Sequence, residues 1–103
     1  MILHCVFCQF RDDAPEAARQ EVLDALRAFS LTLPGVERFD AGPNRDFEQK
    51  SQGFAAGFVI RFASKAALDA YAVHPEHQRL GAALVALCEG GGDGIVVYDL
   101  ELG

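Results

Sequence analysis

The chain has three histidines, His4, His74 and His77, and two of them fall in the run Tyr71-Ala72-Val73-His74-Pro75-Glu76-His77. A histidine exchanges a proton near neutral pH, because its unperturbed pKa is about 6.5. A tyrosine hydroxyl can hold a carbonyl oxygen or a developing enolate. Together these groups suit proton abstraction beside a carbonyl, with His77 and Tyr71 as the catalytic pair. His4 and His74 are expected to bind the substrate, with Phe29 and Phe58 as apolar walls, since small-molecule pockets are mostly apolar with a few convergent polar groups. A structural role is equally easy to write: His74 caps a helix, Pro75 sets its first turn and His77 points at a sheet.

Other chemistries fit less well. His74 and His77, three apart on a helix, have the spacing of two ligands to one ion. No further His or Cys lies near them in sequence, so no metal is expected. Cys5-Val6-Phe7-Cys8 has redox or zinc spacing, but residues three apart in a strand face opposite sides. With Cys88 the cysteines make an odd count, which points to reduced thiols. Gly90-Gly91-Gly92-Asp93-Gly94 lacks the lysine and the strand-turn-helix setting of a phosphate loop and reads as a flexible connection. No haem or flavin motif is recognisable, and no cofactor is expected.

The elements that must position these residues follow from length and pattern. At 103 residues the chain can build one core, giving a single domain over 1–103. A net charge of −6, with nine scattered basic residues, argues against nucleic acid, whose backbone is bound by clustered Lys and Arg. No apolar run approaches the roughly 20 residues of a membrane helix, and the start lacks the pattern of a signal peptide. A soluble, cytoplasmic protein with no membrane partner is expected.

Ile2 to Phe10 alternates as a strand with apolar residues on both faces. Asp12 to Glu16, with its early proline, resembles a capping box, and Val22, Leu23, Leu26 and Phe29 make the buried stripe of the helix that follows. Leu33-Pro34-Gly35 ends it. Val36 to Gly42 is expected to be an edge strand, Pro43 to Gly53 a polar surface loop, and Phe54 to Phe62 a third strand. Ser64 caps a second helix through Tyr71, and Pro75 starts another carrying Leu80, Leu84 and Leu87. Ile95 to Leu102 closes the chain as a fourth strand.

Strand, helix, two strands, helix, strand predicts an α+β, ferredoxin-like βαββαβ fold, a four-stranded antiparallel sheet with its helices on one face. The other face has no cover, yet its strands are apolar on both parities. A homodimer through the sheet faces is therefore expected, since about 800 Å² per partner makes an ordinary stable interface.

The opening Ile2-Leu3-His4-Cys5-Val6-Phe7, the segment Gly42-Pro43-Asn44 and the run from Tyr71 to Gln78, in this order, resemble the stress-responsive A/B barrel (Dabb) family. The resemblance spans nearly the whole chain, and Tyr-x-x-His-Pro-x-His is its specific part. It implies a dimeric α/β barrel of ferredoxin-like subunits. In a plant cyclase of this family the catalytic tyrosine and histidine match Tyr71 and His77, and a pocket histidine matches His4. A second pocket histidine of that cyclase is replaced here by Ala56, so its substrate does not transfer. The reading that results is a pocket for a small, partly apolar carbonyl compound, with His/Tyr acid–base chemistry of a cyclase or isomerase kind. The alternatives are a non-catalytic stress or interaction protein whose His/Tyr cluster is structural and, from related barrels, a cofactor-free or haem-linked oxygenase.

Overall fold

The computed structural model describes residues 1–103. Strand β1 (Ile2–Cys8) is followed by helix α1 (Glu16–Ser30), strands β2 (Val36–Pro43) and β3 (Ala56–Phe62), and helices α2 (Lys65–Val73) and α3 (Pro75–Ala86). After a 3-10 turn at Gly91–Gly94, strand β4 (Ile95–Glu101) completes the chain. Every neighbouring pair is antiparallel, in the order β2-β3-β1-β4, which is the predicted ferredoxin-like arrangement with β2 and β4 at the edges.

Several boundaries differ from the expectation: β1 ends at Cys8 rather than Phe10, β2 takes in Pro43, α2 runs on to Val73 and α3 stops at Ala86 with Leu87 as its C-cap. No capping box forms at α1: the N-cap position is Pro15, without a side-chain bond. Arg11 draws the Asp13 carboxylate to itself at 3.0 Å, while the Arg19 guanidinium donates to the carbonyls of Arg11 and Ala14. The third strand starts at Ala56, not Phe54, because the Phe54 N–H turns back to the Ser51 carbonyl at 3.1 Å.

The break between α2 and α3 is as expected. A residue before proline is pushed out of the helical region, and His74 is extended, with φ −66° and ψ 132°. Ser64 caps α2 by accepting from the Ala67 N–H at 3.2 Å.

The two faces of the sheet have different fates. Ile2, Val6 and Cys8 of β1 and Phe58, Ile60 and Phe62 of β3 pack beneath Val22 and Leu26 of α1, Tyr71 of α2, and Leu80 and Leu84 of α3 in one buried core. The opposite face carries no helix. It presents Leu3, Cys5 and Phe7, then Val59, then Tyr98 and Leu100, of which Tyr98 is 57% and Leu100 51% exposed. Cys5 and Cys8 face opposite sides, and Cys8 lies with Cys88 in the core; all three are free thiols. No helix is long and apolar enough to cross a membrane.

Candidate functional site

The β1–β4 register sets His4 opposite Asp99. Both lie on the helix-side face, where the His4 Nδ1 meets the Asp99 carboxylate at 2.6 Å. A carboxylate can only accept, so the pair keeps the proton on Nδ1 and leaves Nε2 for another partner. The His4 side chain is 13% exposed and that of Asp99 45%, so the imidazole is enclosed and the acid reaches solvent.

Tyr71, at 1% exposure, is the centre of an aromatic cluster. Its ring centroid lies 5.8 Å from that of His4, 5.3 Å from Phe62, 6.2 Å from Phe29 and 4.2 Å from His77. Burial pushes its phenol up to about 12, with the Ser30 hydroxyl acting weakly the other way. That hydroxyl is itself buried and reaches no partner at hydrogen-bond geometry. Tyr71 is consequently a neutral hydrogen-bond donor throughout the physiological range, not a base.

The extended residue at the α2–α3 break places the two remaining histidines. His74 Nδ1 accepts from the Glu76 N–H at 3.1 Å, capping α3, and its ring packs on Phe29 at 4.7 Å between centroids. His77 Nδ1 lies 3.0 Å from the Ala72 carbonyl. A carbonyl only accepts, so Nδ1 is the donor and Nε2 carries the lone pair. Burial holds the His77 pKa below its usual value; the Ala72 bond opposes this, and the charges of His4 and His74 reinforce it. A histidine in that state is a neutral proton acceptor at pH 7.

Of the sequence-predicted residues, the structure brings together His4, Phe29, Tyr71, His74 and His77. Phe58 stands apart. It is in the core on the same face of the sheet, stacked on Phe39 with centroids 5.2 Å apart, and touches none of the histidine rings. Asp99 was missed, although a signal existed: Ile95 and Val97 share its parity in β4, so Asp99, like Glu101 at the strand's end, had to lie on the helix-side face. Val97, two residues from Asp99 on this face, is 47% exposed, and Phe29, His74 and His77 are half-buried, so the cluster reaches solvent on more than one side.

A hollow of about 600 Å³ is not at this cluster. It lies on the helix-free face, against Phe7, Gly57, Val59 and Tyr98 and beneath the segment 44–54, and none of the histidines lines it.

Comparison with solved structures places this geometry among known folds. A dimeric ferredoxin-like protein of unknown function from Jannaschia sp. CCS1 is 48% identical over 98% of each chain, with a TM-score of 0.92. At3g17210 from Arabidopsis thaliana, 20% identical, covers 100% of this chain and 96% of its own with a TM-score of 0.87. A hydroxynitrile lyase from Passiflora edulis, 15% identical, covers 99% of this chain and 93% of its own at 0.85. The last two likenesses are of fold alone. No curated protein matches the chain. The stress responsive A/B barrel domain model matches residues 2–102, and with the βαββαβ order and the Tyr71–His77 run in place, the chain belongs to the Dabb family.

Proposed function

We propose that the chain binds a small, partly apolar carbonyl compound in the cleft between β1, β4 and the α2–α3 break, and performs acid–base chemistry on it. The observation that carries this reading is the His4–Asp99 pair, 2.6 Å apart, set against the pair made by buried Tyr71 and half-buried His77. Each group has a distinct part. The His77 Nε2 lone pair takes the proton next to the carbonyl, the Tyr71 hydroxyl donates to the oxygen where negative charge develops, and His4, oriented by Asp99, holds the substrate's polar end. Phe29 and His74 supply the wall. A hydroxynitrile lyase shares the fold, so the fold is compatible with catalysis; the case for chemistry in this chain rests on its own residues.

The test is enolisation. The protein is incubated with acetophenone in deuterium oxide, and deuterium gain at the methyl group is followed by proton NMR. Catalysed exchange in the parent, lost in His77→Ala and reduced in Tyr71→Phe, supports the reading; exchange at the buffer rate in all three ends it.

A second reading has its own support: Tyr71 is 1% exposed and His74 caps α3, as expected of a cluster that only fixes the helix break. On that reading both substitutions lower the melting temperature by several degrees and change no ligand contact.

We also infer that two copies pair through their helix-free sheet faces. Tyr98 and Leu100 would be the exposed apolar centre of that contact, and the Jannaschia relative is dimeric. Light scattering at micromolar concentration should give twice the chain mass; the chain mass itself would refute the pairing.

A further inference from the structure

The hollow on the helix-free face has a floor that its own subunit does not explain. Gly42 and Gly57 are cross-strand partners in β2 and β3, side by side on this face. Gly57 is required, since a Cβ there would stand 2.6 Å from the Phe7 ring and 2.9 Å from the Val6 carbonyl. Gly42 is not: no atom lies within 4 Å of its Cβ position, and its φ is outside the left-handed region. A strand glycine weakens the strand and often marks where a ligand or another backbone comes close.

The walls are divided by chemistry. Phe7, Val59 and Tyr98 make the sheet side apolar, while the covering segment brings Lys50, Ser51 and Gln52. Lys50 is the only cationic side chain lining the hollow. Arg11, Arg38, Lys65 and Arg79 each pair with a carboxylate, but Lys50 has no such partner, and Asp40 at the rim is engaged by Arg38 at 2.6 Å.

The cover is braced. The Asp46 carboxylate accepts from the N–H groups of Lys50 and Ser51 at 3.0 and 3.2 Å, and the Asn44 side chain donates to the Phe54 carbonyl at 2.8 Å. Asp46, Gln49 and Gln52 hold φ values of 50°, 57° and 55°, which side chains other than glycine adopt at a cost. Strain of this kind persists where surrounding contacts enforce it and gathers at ligand clamps.

We propose that this hollow is a second binding site, separate from the histidine cleft, for a small amphipathic carboxylate. Its flat apolar body rests on the Gly42–Gly57 floor against Phe7 and Tyr98, and its carboxylate meets Lys50. A volume of about 600 Å³ suits a ligand of that size. One chain supplies floor, wall and cation; the sheet of a second copy, on the pairing inferred above, would add the roof.

The probe is 2-naphthoate, with neutral 2-naphthylmethanol as its control. Both are titrated into the ¹⁵N-labelled full chain, and light scattering of the same samples reads the oligomeric state separately. The expected result is saturable movement of the Gly42, Gly57 and 44–54 amides. Lys50→Gln should weaken naphthoate by about tenfold, the worth of one charge-assisted hydrogen bond, and leave the alcohol unchanged. Gly42→Val should abolish both while the melting temperature stays within a few degrees. Because Lys50 is exposed, its variant keeps the test open even if Gly42→Val misfolds. Shifts confined to the histidine cleft, no saturation at millimolar probe in either oligomeric state, or equal loss of both probes in Lys50→Gln would each overturn the site. A monomer that still binds naphthoate at Gly42 would sink the pairing and spare the site.

Discussion

Asp99 grips the Nδ1 of His4 from the neighbouring strand at 2.6 Å, although 95 residues separate them in the chain. The contact is made by register alone, since β1 and β4 run antiparallel with these two residues as partners. Removing the carboxylate frees the imidazole to rotate and to change which nitrogen carries the proton. Asp99→Ala should therefore slow acetophenone exchange by about tenfold, the equivalent of roughly 1.4 kcal/mol of one hydrogen bond to a charged group. The melting temperature should fall by no more than a few degrees, because a half-exposed pair of this kind adds about 1 kcal/mol at most. A variant of unchanged rate would make the pair a surface contact only.

The acid limb of the stability profile should report His77. Burial depresses its folded pKa, so the unfolded chain takes up a proton near the ordinary histidine value while the folded chain resists it. The resulting stability is fully present above about pH 6.5 and is lost as pH falls through the depressed value. Urea midpoints measured from pH 7.5 downward should decline in the parent, and more gently in His77→Ala.

Tyr71 contributes to the alkaline limb with the opposite sign, beside the buried Cys8 thiol, which is also held up to about 12. With its phenol held up to about 12, the folded chain keeps a proton that the unfolded chain releases near 10. Its share of the stability is intact below about pH 10 and drains away as pH rises toward the folded value, by roughly 3 kcal/mol in all. Tyr71→Phe should flatten that decline in urea titrations between pH 9.5 and pH 12.

Much of this architecture was legible in the sequence because its signals are local. The alternation of Ile2 to Cys8, the stripe at Val22 and Leu26, and the His74-Pro75 break each depend on neighbours a few residues away. Phe58 and Asp99 show where that ends. Phe58 has the right parity to join the histidines, but its place in the register puts it beside Phe39, and nothing local says so. Asp99 becomes part of the site only once β4 is laid against β1. The helix start failed for a similar reason, because Arg11 and Arg19 reach across the turn to satisfy groups that a capping box would have served. The hollow on the other face left no periodic mark at all, since it is made by the lack of side chains at Gly42 and Gly57.

Those two glycines differ in a way that stability measurements should expose. At Gly57 a methyl group would enter the Phe7 ring and approach the Val6 carbonyl, and the carbonyl belongs to a central strand that cannot retreat. Overpacking of this kind costs about 1 to 3 kcal/mol, so Gly57→Ala should lower the melting temperature by several degrees. At Gly42 the same methyl meets nothing, and alanine is the better strand residue by about 0.5–1 kcal/mol. Gly42→Ala should leave stability unchanged or raise it slightly. Equal destabilisation by both substitutions would mean that the face above Gly42 is already closely packed in solution.

The thiols give a prediction about access. Burial raises the pKa of Cys8 to about 12, with the charge of neighbouring Cys88 adding to it, and burial raises Cys88 as well. Cys5, on the other face, is raised by burial first and by the charge of Asp99 second. Thiolate is the reactive form, so none of the three should react readily at pH 8 while the chain is folded. Iodoacetamide followed by intact-mass measurement should show almost no label in buffer and three additions in urea. Cys5 is already covered within one subunit on the side proposed to pair, so Leu100→Glu, which should split the dimer, should leave all three thiols protected as long as the chain stays folded.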